Sequence, residues 1–116
     1  MLDQEEIITA KQRGNILEKN VEWLFQSAGF TTKRNVLIST YEVDILARLG
    51  NQIVAIECKN YQNSQLIVRN LIHQWSSKNK IIKAHKVIIV VSGVHIKDSD
   101  RRLAEETNIK LWGDDD

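Results

Sequence analysis

The sequence predicts an α/β protein in which helices cover both faces of one central mixed β-sheet, giving three layers. Three observations carry that expectation. Apolar residues recur at helical spacing near the start of the chain and again past its middle. Two apolar runs flank Gly50-Asn51, which has the composition of a two-residue hairpin turn. The segment Lys86 to Ser92, KVIIVVS, is a strongly apolar β-branched run suited to a central strand. Read in order, the elements run α, β, β, β, α, β, α, β, and that succession implies a mixed sheet with helices on both sides.

Each element has its own signal. Gln4 to Ser27 reads as a helix because Ile16, Leu17, Val21, Leu24 and Phe25 recur at its period. Gly14 softens or splits it, and Gly29 in Ala28-Gly29-Phe30 ends it as a left-handed cap. Thr32 to Ile38 is a strand exposed on one face, Tyr41 to Arg48 a second and Gln52 to Lys59 a third. Asn60 to Asn63 is a polar loop. Ser64 then caps a helix running to about Ala84, with Leu66, Ile67, Leu71, Trp75, Ile81 and Ile82 as core candidates. After the apolar strand, Ser92-Gly93 starts a loop, Lys97 to Thr107 forms a short helix and Ile109 to Trp112 a final short strand.

The whole-chain properties exclude several classes. At 116 residues the chain has the size of one domain, 1–116, and such a length buries roughly two thirds of the unfolded surface. The longest apolar run, Val87 to Val91, is far too short to span a bilayer. The acidic, polar start Met1 to Glu6 has no signal-peptide pattern, so a cytoplasmic protein without membrane contact is expected. Cys58 is the single cysteine, which rules out an intrachain disulfide and a cysteine-rich zinc site. Its strand position makes it a small core residue. No serine sits in a nucleophile elbow and no glycine-rich phosphate loop is present, which argues against acyl hydrolases and ATP-driven enzymes.

The net charge of +1 gives no global basic field, so any surface for nucleic acid must be local. Lys33 and Arg34 lie on the first strand, and Arg69, Lys78, Lys80, Lys83 and Lys86 on or after the second helix. Each suits either a phosphate backbone or ordinary solubilising charge. His73, His85 and His95 show no metal-ligand spacing and read as structural or exposed.

The hairpin holds the unusual chemistry. With Gly50-Asn51 as the turn, Leu49 faces Gln52, and stepping back along both strands brings Asp44 opposite Glu57 and Glu42 opposite Lys59. These four then share one face, while Val43, Ile45, Ile56 and Cys58 share the other. Two facing carboxylates repel. A shared proton, a neighbouring cation such as Lys59, or a bound divalent metal would relieve them.

Asp44, twelve intervening residues, then Glu57-Cys58-Lys59 resembles the signature of the PD-(D/E)XK nuclease superfamily. More narrowly, EVDILA followed by VAIECKNY is similar to Mrr-like restriction endonuclease domains and archaeal Holliday junction resolvases. The resemblance implies a restriction-endonuclease-like fold with an α-β-β-β-α-β core, here followed by a helix and a short strand. It implies Mg²⁺, with Mn²⁺ as a substitute, held by Asp44, Glu57 and the backbone carbonyl of Cys58. It also implies a glutamate from the first helix, Glu18, with Glu22 one turn later as the fallback. Lys59 would orient or activate the attacking water. Gln74 stands on the helix where Mrr-like domains often carry a glutamine. The sequence departs from the signature at Val43, which replaces its proline.

The activity so implied is metal-dependent endonucleolytic hydrolysis of DNA, in a restriction-like, junction-resolving or repair setting. Lys33, Arg34, Arg69 and Lys78 are the candidate DNA contacts. A junction-resolving version would need two active sites and hence a homodimer. Two alternatives stand beside it: a non-catalytic nucleic-acid-binding or assembly module on the same fold, which the near-neutral charge suits, and RNA processing.

Overall fold

The computed structural model describes residues 10–60 and 67–114. Its elements are α1 (Ala10–Ser27), β1 (Thr31–Ile38), β2 (Tyr41–Leu49), β3 (Gln52–Asn60), α2 (Val68–Ile82), β4 (Lys86–Ser92), α3 (Asp98–Glu106) and β5 (Ile109–Trp112), in the predicted order. The start of the expected first helix, the loop at 61–63, Ser64 and Leu66 lie outside the described residues. The five strands follow one another across the sheet. β1, β2 and β3 pair antiparallel, whereas β3, β4 and β5 pair parallel, so the sheet is mixed as expected.

Two apolar layers sandwich that sheet. On one side Val21 and Phe25 of α1 pack on Ile45, Ala47, Val54, Ile56, Cys58, Ile88 and Val90. On the other, Val68, Leu71, Ile72 and Trp75 of α2 and Ala104 of α3 pack on Val43, Ala55, Val87, Ile89 and Val91. β4 gives alternate residues to the two layers, which is why its sequence is apolar without interruption.

The helix stripes are narrower than the periodicity suggested. α1 turns Val21 and Phe25, with half-buried Leu17, to the sheet, and leaves Ile16 and Leu24 half exposed. In α2 the buried set is Val68, Leu71, Ile72 and Trp75, while Ile67 and Ile81 face out. A 3.6-residue period identifies a helix, but it does not decide which of two adjacent apolar residues points inward.

α1 ends as expected. Gly29 adopts φ +95°, its N–H donates to the Gln26 carbonyl, and the Phe30 N–H donates to the Phe25 carbonyl. This Schellman pattern is completed by the Phe25 and Phe30 rings, which meet edge to face with centroids 5.2 Å apart. With Glu22 bonded to Thr32 and Glu18 beside Arg34, α1 runs antiparallel to β1. Among the described residues, no helix is long and apolar enough to cross a membrane.

Candidate active site

Asp44 sits where the hairpin opens. The Gly50-Asn51 turn fixes the β2–β3 register from Leu49↔Gln52 to Ile45↔Ile56, and the recorded pairing stops one step short of Asp44 and Glu57. On the other side of β2, the register passes from Arg34↔Ile45 to Val36↔Val43 and skips the position where Asn35, with φ +54°, lies opposite Asp44. Asparagine tolerates that left-handed backbone better than most residues. Strand alternation breaks here: Val43 enters the α2 layer and Ile45 the α1 layer, where the sequence placed both on one face. Flanked in this way, the Asp44 carboxylate does not simply face Glu57 across a flat ladder. Its Oδ2 accepts the Cys58 backbone N–H at 2.9 Å, reaching across the gap between the strands.

Glu57 comes from the buried middle strand and is only 6% exposed. Its side chain lies on the α2 side, where Oε2 accepts the Trp75 Nε1–H at 2.8 Å. Burial above all, then a hydrogen bond with Asp44 and that group's charge, push the Glu57 carboxyl up to about 8. The Trp75 bond and the charge of Lys59 pull the other way without cancelling this. The two acidic groups therefore meet, and part of their repulsion is unrelieved. Lys59, half-buried at the end of β3, is the cation nearest in sequence.

The two α1 glutamates have separate partners. Glu18 is half-buried, lies 3.4 Å from Arg34 Nη2, and is pushed up first by burial and next by the charge of Asp44. Glu22 instead accepts the Thr32 hydroxyl at 2.7 Å and fastens α1 to β1. Glu18 is thus the α1 carboxylate whose charge bears on Asp44. Arg34, which the sequence offered as a surface DNA contact, is drawn inward, and its Nε is buried with no hydrogen-bond partner among the described residues. Cys58 lies in the α1 layer as expected. Burial, followed by the charges of Asp44, Glu18 and Glu57, pushes its thiol up and keeps it neutral.

The remaining candidates are more dispersed. Gln74 is exposed, and its neighbour Trp75 is the α2 residue that touches the acidic pair. A donor there was a readable need, because a buried indole N–H and a buried carboxylate each require a partner. Which helix position would supply it was not readable. Lys33 is exposed on β1. The Lys78 ammonium lies 5.3 Å from the Trp75 ring centre and 5.9 Å from that of Tyr41. Arg69 lines a cavity of about 300 Å³ with His95, Lys97 and Asp100. Asn60 and Ser92 end β3 and β4 in register, so this cavity lies toward the same end of the sheet as Glu57.

The donor set suits a hard cation. Among the described residues, no three acidic, histidine or cysteine side chains are gathered closely enough for a closed metal cage. What is present is an adjacent carboxylate pair in which burial and Asp44 hold a proton on Glu57, a proton that a divalent cation would displace. Mg²⁺ binds through one or two carboxylates and completes its shell with water and phosphate oxygens, so the pair fits it.

Solved structures share the fold. A crystal structure of a protein of unknown function, AF1548, superposes with a TM-score of 0.71 at 21% identity, over 83% of this chain and 55% of that one. A repair endonuclease from Pyrococcus abyssi gives 0.62 at 16% identity, over 85% and 46%. EndoMS, solved in complex with double-stranded DNA, gives 0.60 at 21% identity, over 97% and 48%. The chain spans about half the length of each. No curated protein is significantly similar to it. Residues 9–116 match the Mrr catalytic-domain family, described as restriction endonuclease. With that match covering nearly the whole sequence, and with a mixed sheet that sets an aspartate against the E-C-K strand, the chain belongs to the Mrr family of restriction-endonuclease-like nucleases.

Proposed function

We propose that this chain is the catalytic module of a divalent-metal-dependent endodeoxyribonuclease that hydrolyses DNA phosphodiester bonds. One observation supports the reading: Asp44, held by the Cys58 N–H, and Glu57 meet at the open end of the β2–β3 hairpin, with Lys59 the cation nearest in sequence. Asp44, Glu57 and the Cys58 carbonyl would hold Mg²⁺, with Mn²⁺ able to replace it, and Glu18 would join from α1. The ion, when bound, supplies Lewis acidity at the scissile phosphate and lowers the pKa of its water.

The chain's own residues do the rest. Asp44 is oriented by the Cys58 N–H, which holds its carboxylate beside Glu57 without reorganisation. Lys59 places a positive charge where it orients the attacking water and steadies the negative charge that develops on the phosphate. Lys33 on β1, Arg69 at the start of α2 and Lys78 further along it grip the flanking backbone without reading sequence, whereas Arg34 is engaged with Glu18. The cationic cavity beside Arg69 supports such a grip. Gln74, exposed on α2, would serve at most as a phosphate contact. DNA as the substrate is supported by the structural likeness to EndoMS bound to duplex DNA. A version that resolves branched DNA acts as a homodimer. The free thiol of Cys58 suits a cytoplasmic setting.

The test is cleavage of supercoiled, linear, single-stranded and four-way-junction DNA, with RNA alongside, in Mg²⁺ or Mn²⁺ and in chelator. Metal-dependent cutting of DNA that disappears in Glu57→Ala and in Lys59→Ala is expected. Cutting that survives both substitutions would overturn the assignment, and metal-independent binding without cutting would establish the non-catalytic alternative.

A further inference from the structure

Trp75 does more than fill the core. It is fully buried on α2, among Val68, Leu71 and Ile72, where an aliphatic or phenyl side chain would pack without needing any acceptor. An indole carries one N–H donor, and leaving it unpaired in the interior is unfavourable. Here the donor meets Glu57 Oε2 at 2.8 Å, and both partners are buried. That bond commits one carboxylate oxygen to the helix and leaves Oε1 free of it.

The ring is itself held. The core packs around it, and the Lys78 ammonium sits over it at 5.3 Å while also capping Tyr41, at the start of β2, at 5.9 Å. α2, β2 and β3 are thereby tied together around the acidic pair. A carboxylate anchored through one oxygen by a rigid ring cannot rotate freely, and such outer partners fix the orientation in which a ligand is offered to a metal.

We infer that Trp75 is a positioning residue: its indole N–H holds the Glu57 carboxylate in the single orientation that Asp44 and Glu57 need to share one divalent cation. The inference rests on the nuclease reading insofar as Glu57 is a cation ligand. Trp75 itself touches neither substrate nor metal.

The test uses the full chain. Trp75→Phe keeps a buried ring and removes the donor. The Mg²⁺ concentration for half-maximal DNA cleavage should rise roughly tenfold or more, with a smaller loss in rate at saturating Mg²⁺. An unchanged Mg²⁺ requirement in folded Trp75→Phe overturns the role. Should that variant fail to fold, the wild-type indole N–H resonances decide. The Trp75 signal, told apart from those of Trp23 and Trp112 by substituting the latter two, should exchange slowly with solvent. It should also shift on titration with Mg²⁺ alone, and Glu57→Ala should abolish that response. Calorimetric Mg²⁺ binding with an unresponsive Trp75 signal overturns the positioning role alone. Failure of the wild type to bind Mg²⁺ or cleave DNA overturns the nuclease reading beneath it.

Discussion

In the absence of divalent ions, the folding stability of this protein is predicted to fall as pH rises, and the decline traces to Glu57. The group titrates near 4.5 in an unfolded chain and at about 8 in the folded one, mainly because it is buried and secondly because it shares space with Asp44. Its folded value is raised, so the folded state keeps a proton that the unfolded state has released. The stabilisation is complete below the unfolded value and is lost as pH climbs through the folded one. Linkage sets a limit of about 1.4 kcal/mol per pH unit, or roughly 5 kcal/mol over the whole interval. Because Glu57 ionises beside the Asp44 carboxylate and its own value reflects both groups, the observed loss should fall below that limit. Urea unfolding of wild type and Glu57→Gln, between about pH 5 and pH 9 in chelator, measures it. Glu18, whose carboxyl is also raised, contributes alike to both proteins and cancels in the comparison. Wild type should lose stability relative to the variant as pH rises, and Mg²⁺ should restore it in wild type only. Parallel pH profiles for the two proteins, or a wild type that gains on the variant toward high pH, would refute the reasoning.

Other consequences are testable by simpler means. Lys59→Ala should slow single-turnover DNA cleavage by about 10²–10⁴-fold while changing DNA affinity in a chelator little; near-normal turnover would remove Lys59 from the chemistry. Glu18→Gln should impair Mg²⁺-dependent cleavage. Glu22→Gln should mainly weaken the Thr32 tie, lowering stability by about 1 kcal/mol, and the reverse outcome would make Glu22 the site residue. Lys33→Ala and Arg69→Ala should each flatten the slope of log affinity against log salt by about 0.9 in fluorescence anisotropy, without altering sequence preference; an unchanged slope would take that residue off the DNA path.

The fold was legible because its signals were local. The Gly50-Asn51 turn fixed the hairpin register, the unbroken run in β4 announced burial on both faces, and Gly29 marked the end of α1. What escaped depended on long-range geometry. Alternation put Val43 and Ile45 on one face, but the two enter opposite layers on either side of Asp44, beside the left-handed Asn35 of β1. Asp44 also accepts the Cys58 N–H, a contact that period-two reasoning does not contain. The motif spacing selected Asp44, Glu57 and Lys59 as candidates, yet Gln74 drew attention on α2 while its neighbour Trp75 reaches Glu57. Adjacent helix positions differ by about 100° around the axis, and only packing determines which one meets the strand. Arg34 likewise read as a surface charge, and its pairing with Glu18 needed the α1–β1 docking to be seen.

Crystals of the protein soaked in Mn²⁺ and measured for anomalous scattering address the central point most directly. The account predicts one strong peak between the Asp44 and Glu57 carboxylates, within about 2.1 Å of an oxygen from each. A well-occupied crystal with no peak there, or with manganese bound only at other residues, would contradict it.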